Sequence, residues 1–182
     1  MQDTDGATAV VIRQMSPAEL EPSRIAEIDV SEHGDVVLHH ANGQVETAPE
    51  EWYRSPLPAE GWVRDVEKWR AEIASGGAAI GAFAGERLIG IAVVRNDLTE
   101  TSSQLSALFV SRDHRRRGVA RQLTDEACRF AREAGAQELY VSAIPSRSAV
   151  GFYTSHGFRL ANKVNKALYE LEPEDIHMIR AL

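Results

Sequence analysis

Between Gln104 and Ala134 the hydrophobic pattern changes period from about two to about 3.6 across a short basic loop. Gln104–Val110 reads as a strand. Val119, Leu123, Ala127, Phe130 and Ala134 then repeat at helical spacing with charges opposite, which predicts a helix over 118–134. Gly135 caps it, and Glu138–Ala143 returns as a strand. Strand, helix and strand in that order require a parallel pair joined by a right-handed crossover. The other pairings read as hairpins. Ala79–Ala84 and Leu88–Val94 flank a Gly85-Glu86-Arg87 turn, and Asp35–His40 and Gln44–Thr47 flank Ala41-Asn42-Gly43. Asn-Gly supplies the positive φ angles that a tight turn demands. The expected fold is therefore α/β, with a mixed, mostly antiparallel sheet and helices on both faces.

The remaining segments fit around this frame. Ala9–Arg13 is a first strand, Ser16-Pro17 starts a short helix, and a second short helix covers Pro22 to Ile28. Residues 48–62 contain three prolines with Trp52, Tyr53 and Trp62, and read as an irregular loop with aromatic anchors. Asp65–Ala74 is helical through Val66, Trp69 and Ile73 and stops at Ser75-Gly76-Gly77. Asn96–Ser103 is a polar connection. A shorter helix runs from Arg147 to Ser155, and Asp175–Leu182 alternates like a strand. A length of 182 residues suits a single domain over 1–182, with residues 1–8 frayed and about 35–62 an inserted hairpin and loop.

Composition excludes several classes of function. No apolar run approaches the ~18 residues of a membrane span. The start, MQDTDGATAV, lacks the basic and apolar regions of a signal peptide. One cysteine, Cys128, rules out an internal disulfide and a cysteine-rich zinc cage, which fits a reducing cytoplasm. The adjacent His39 and His40 would point to opposite faces of a strand, so no metal site is expected. The net charge of −7 is uneven: residues 1–64 hold 12 acids and 4 bases, and the remainder is balanced at +1. That distribution argues against a nucleic-acid partner. The acidic N-terminal third either faces a cationic substrate or keeps the protein soluble.

Leu108–Ala120 carries the most chemistry. A strand ends, Arg115, Arg116 and Arg117 follow, and an amphipathic helix begins at Gly118. The first turn of a helix presents unpaired N–H groups and a positive dipole end, which together hold an anion. Gly118 and Ala120 let a phosphate approach the main chain. No Gly-Lys-Ser/Thr follows, and the glycine spacing does not match a dinucleotide fingerprint.

Here the chain resembles the GNAT superfamily of acyl-CoA N-acyltransferases. Arg115-Arg116-Arg117-Gly118-Val119-Ala120 is similar to that family's [RQ]-x-x-G-x-[GA] loop, with Val110 five residues upstream. Ser146-Arg147-Ser148-Ala149-Val150-Gly151-Phe152-Tyr153, followed by Gly157-Phe158, is similar to its N-x-x-A-x-x-F-Y-x-x-x-G-F motif. The resemblance covers about residues 79–182 and implies acetyl-CoA, or another acyl-CoA, as donor, with no metal. The pyrophosphate would lie on the N–H groups of Arg116 to Arg121, including Arg117, Val119 and Ala120, with Arg115 setting the loop. The pantetheine would pair with the strand edge at Phe109 and Val110, and Tyr153 would protonate the leaving thiolate. Ser146 stands where the family has asparagine, and would cap the helix or reach the pantetheine.

Direct attack by a small-molecule or protein amine is the implied reaction, and Cys128 is expected to be structural. A non-catalytic acyl-CoA sensor or scaffold is the alternative. The base stays open. Gln104–Leu108 has no carboxylate, which leaves Asp97, Glu100, His177 or transfer through water and Ser106. The acceptor is expected between Ile28 and Trp62, where Trp52, Tyr53 and Trp62 either line a pocket or pin a loop. Glu27, Asp29, Glu50 and Glu51 are the carboxylates expected to attract it. The hairpin is expected to cover the acceptor or to form a homodimer contact.

Overall fold

Small and β-branched residues alternate faces along the central strands, so each strand buries one side chain up and the next down. The computed structural model describes residues 9–41 and 43–182. Its strands are β1 (Val10–Met15), β2 (Glu32–Ala41), β3 (Gln44–Arg54), β4 (Ala78–Ala84), β5 (Arg87–Thr99), β6 (Ser102–Val110), β7 (Glu138–Ala143), β8 (Arg159–Leu160) and β9 (Ile176–Ala181). Its helices are α1 (Pro22–Ile25), α2 (Val63–Ala74), α3 (Val119–Glu133), α4 (Arg147–Ser155) and α5 (Lys166–Leu171). Among the described residues one sheet has the order β1-β4-β5-β6-β7-β9-β8, and β2 and β3 form a separate ribbon. The β6–β7 pair is parallel and the other pairings are antiparallel.

The sheet has a core on each face. On one, Val119, Leu123, Ala127 and Cys128 of α3 pack on Ile89, Leu105, Val110 and Leu139. On the other, Val66 and Trp69 of α2, with Trp62 and Ile25, pack on Ile91, Val93 and Ala107. Cys128 is 3% exposed and burial pushes its thiol pKa up, which makes it an inert core residue, as expected.

Several boundaries differ from the sequence reading. The helix over 118–134 is Val119–Glu133 with Gly118 as its N-cap, and the Arg147–Ser155 helix is as read. The loop read over 48–62 is strand as far as Arg54. Pro49 is tolerated there because it pairs with Val36 beside a bulge in a two-stranded ribbon, where every strand is an edge. The polar connection at 96–103 is mostly strand, with a turn at residues 100–101. The segment Lys166–Leu171, capped by Asn165, forms a helix that the periodicity did not reveal. The frayed reading of residues 1–8, and the part of Asn42 in its turn, lie outside the described residues; Gly43 has φ 77° as the turn requires.

The parallel pairing is much shorter than the two strands. Only Ser102–Gln104 pair with Glu138–Tyr140. On the other side of β6, Val93 pairs with Ala107 and Val94 with Leu105, so Ser106 is an extra residue at a β-bulge. A bulge bends its strand and re-aims its side chain. Beyond it β6 and β7 part, which leaves the β6 edge from Leu105 to Val110 free of β7 and opens a cleft above α3.

Candidate active site

The anion loop is built on a buried serine. Ser111 is fully buried, and its Oγ accepts from Asp29 N at 3.1 Å and lies 2.9 Å from an Arg87 N–H donor. Arg112 N donates to the Asp29 carbonyl at 2.9 Å. Arg87 also donates to Asp113 at 2.7 Å. Burial alone would raise the Asp113 pKa, but Arg87, His114 and Ser111 outweigh it and hold the carboxyl well below the usual range. Above this base, Arg115 Nε donates to the Val110 carbonyl at 3.1 Å and ties the loop back to the end of β6. Arg116 and Gly118 take positive φ, 59° and 79°. No side chain caps α3, so its first-turn N–H groups stay available to an anion.

The loop opens into a cleft of about 680 Å³. Phe109, Val110, Arg115, Arg116, Gly118, Ala120 and Arg121 line it, as does Tyr153. Val119 is in its place at the helix start, but its side chain is in the core. Arg117 is exposed and outside the lining. Of the two roles expected for Ser146, the helix cap is the one its geometry fits. It is 3% exposed, its Oγ accepts from Ala149 N at 3.1 Å as the N-cap of α4, and it does not line the cleft. Ser148, two residues on, lines it instead.

Tyr153 is 7% exposed and wedged between Phe152 and Phe158, at ring-centroid distances of 5.3 and 5.1 Å. Burial, helped by the negative charge of Asp175, raises its phenol pKa far above the usual value. The hydroxyl therefore keeps its proton throughout the physiological range, as a general acid must. Asp175, just before β9, lines the same cleft with Glu172. Burial and the neighbouring Glu172 push the Asp175 carboxyl up to about 6 against a lowering by Arg54. Asp65, Lys68 and Trp69 of α2 also line the cleft; burial raises the Asp65 carboxyl pKa too.

Most residues expected on the acceptor side lie away from the cleft. Trp62 is buried against Trp69 and Phe109, Trp52 Nε1 donates to the Val36 carbonyl, and Tyr53 is 66% exposed. All three pin or decorate the hairpin and helix, and none lines the cleft. Nor do Glu27, Asp29, Glu50 or Glu51. Glu27 accepts from Leu88 N and pairs with Arg24, and Asp29 accepts from Ser31 N, so both serve the fold. Asp97 and Glu100 are exposed near the β5–β6 turn. His177 is buried, with Nδ1 2.8 Å from the Tyr140 hydroxyl, and lies off the lining. Of the base candidates only Ser106 borders the cleft.

The hairpin borders it as well. Leu38 N donates to the Pro145 carbonyl at 2.9 Å, Glu32 accepts from Ser148 and sits 3.8 Å from Arg115, and Glu32 and Arg54 line the wall. Sequence reasoning missed Asp175, Glu172, Asp65, Lys68 and Glu72. Glu72 left a readable trace, because it lies three residues after Trp69 on the buried stripe of α2. Among the described residues no group of three His, Cys, Asp or Glu side chains is placed to hold a metal ion, and no helix is long and apolar enough to cross a membrane.

A family model described as an acetyltransferase (GNAT) domain matches residues 47–167. A search of curated protein sequences finds no match. Among solved structures, a nourseothricin acetyltransferase is 22% identical, with a TM-score of 0.71 over 96% of this chain and 99% of its own. A Bacillus anthracis protein assigned as a streptothricin acetyltransferase, in complex with acetyl coenzyme A, is 17% identical with the same TM-score and coverage. PaiA N-acetyltransferase of Thermoplasma acidophilum, in complex with coenzyme A, is 17% identical with a TM-score of 0.60 over 96% and 99%.

Proposed function

The chain belongs to the GNAT acetyltransferase family, acyl-CoA-dependent enzymes that move an acetyl group to an amine, and from that premise we propose how this cleft does so and on what. Acetyl-CoA is the donor. Its pyrophosphate lies on the first-turn N–H groups of α3 and against Arg116 and Arg121, and its pantetheine follows the free β6 edge at Phe109 and Val110. The acceptor nitrogen attacks the thioester carbon directly in a ternary complex. The C–S bond breaks and the thiolate takes the Tyr153 proton.

One observation carries this reading. The uncapped start of α3, the open β6 edge and a proton-bearing Tyr153 border one cleft. The acceptor is a small cationic amine, a reading supported by Glu32, Asp65, Glu172 and Asp175, which line the cleft together with the cations Arg54 and Lys68. Two similar structures are named for nourseothricin and streptothricin, so a compound of that kind heads the panel to try.

Thiol release from acetyl-CoA is measured against this panel for the wild type and Tyr153→Phe. The variant is expected to lose about 100-fold in kcat with its acetyl-CoA affinity kept, the low end of general-acid contributions. Turnover within twofold of wild type would remove Tyr153 from the chemistry.

A further inference from the structure

The chemistry above leaves the proton on the attacking nitrogen without a destination. We propose that Ser106 and Glu72 form the proton relay that receives it. This rests on the acetyl-transfer reading of the cleft. Ser106 is the bulge residue of β6 and lines the same cleft as Tyr153. Its Oγ donates to Glu72 Oε2 at 2.6 Å, and the competing Val93 carbonyl is farther at 3.3 Å. With its proton directed to Glu72, the serine oxygen keeps lone pairs for an incoming N–H.

Glu72 is an expensive residue for stability alone. It is 8% exposed, it makes no ion pair within 4.0 Å among the described residues, and it sits in the last turn of α2, where the helix dipole opposes a negative charge. Buried charged groups are normally paired. A buried carboxylate whose one side-chain partner is a serine in a substrate cleft fits proton transfer better than packing.

The bound ammonium first gives one proton to water. The neutral amine nitrogen then bonds to the thioester carbon, and its remaining N–H becomes acidic as it does so. That proton passes to Ser106 Oγ while the Ser106 proton passes to Glu72 Oε2. The C–S bond then breaks, and the thiolate takes the proton of Tyr153. Glu72 returns its proton to water, and Tyr153 recovers one from water. Other charged groups around the nitrogen are Asp65 and Lys68 of α2, Arg54 of β3, and Glu172 and Asp175 before β9.

Glu72→Gln separates relay from support, because the glutamine oxygen still accepts a hydrogen bond from Ser106 but cannot take up its proton. Steady-state kinetics with an amine turned over by wild type should show about a 100-fold loss of kcat for Glu72→Gln and Ser106→Ala, with acetyl-CoA KM kept in both and the melting temperature kept in Glu72→Gln. Ser106→Thr, which restores a hydroxyl, should recover most of the rate. The solvent isotope effect on kcat should change in Glu72→Gln. Wild-type-like kcat in Glu72→Gln would overturn the relay while leaving acetyl transfer in place, and so would a comparable loss appearing only in Asp175→Asn. A wild type that turns over no amine would overturn both readings together.

Discussion

Arg116 holds φ at 59°, a left-handed conformation that costs a residue with a Cβ roughly 1–2 kcal/mol. Nothing in the loop forces arginine there for stability; its side chain is exposed and lines the anion end of the cleft. The strain is thus exchanged for a guanidinium at a fixed place. Arg116→Gly removes the strain but makes the unfolded chain more flexible, so the two effects nearly cancel. Chemical denaturation should show a change of no more than about 1 kcal/mol in either direction. Calorimetry should show acetyl-CoA binding weakened by about tenfold, as expected for losing one charge-assisted contact. A large destabilisation with unchanged affinity would make Arg116 a structural residue.

At the scale of elements, α4 carries Tyr153 and is capped at its start by the Ser146 side chain, with Ser148 in its first turn donating to Glu32. Ser146→Ala should cost about 1 kcal/mol in a denaturant melt, and Ser146→Asn should recover the cap. Because Tyr153 lies on the second turn, kcat should fall more than acetyl-CoA affinity in the alanine variant. Equal stability of serine and alanine would show that packing of Val150 and Tyr153 holds the helix without its cap. Helices with regular apolar spacing and clear caps, α3 and α4, were legible in the sequence almost to the residue. β9 was legible to within a residue at each end, whereas the hairpin strands β3 and β5 run on to Arg54 and Thr99. The splay of β6 from β7 was not legible, because it depends on a bulge at Ser106 that leaves no mark on the local pattern. The Ser106–Glu72 bond joins residues 34 apart and exists only once α2 packs on the sheet. The N-terminal charge excess was legible, but not which of its carboxylates face the cleft: fold contacts absorb Glu27 and Asp29, Glu32 lines the cleft, and Asp175 reaches it from the other end of the chain.

Over the whole molecule, several carboxylates and His177 compete to set the pH dependence. Asp113 and Asp29 have depressed pKa values, and that of Glu19 falls to about 2 through its bonds to Arg13 and Ser16. Their stabilisation is present above the unfolded carboxylate range and is lost on acidification below it. Burial lowers the His177 pKa, so protonation below about 6.5 favours the unfolded chain. Asp175 acts in the opposite sense. With its folded pKa at about 6, the folded state holds a proton that the unfolded state has already lost, so its contribution to stability declines as pH rises from the unfolded value to about 6. A comparison of wild type with Asp175→Asn cancels the other groups. The variant should melt above wild type at pH 8, and that advantage should shrink to nothing near pH 4. The same carboxyl links stability to substrate. A cationic amine beside Asp175 favours its ionised form, so binding must expel the proton below about pH 6. Acceptor KM should therefore fall as pH rises from 5 to 7 in wild type and respond less in Asp175→Asn, with acetyl-CoA KM tracking neither. A KM profile identical in the two proteins would place the acceptor's charge away from Asp175, toward Asp65 of α2.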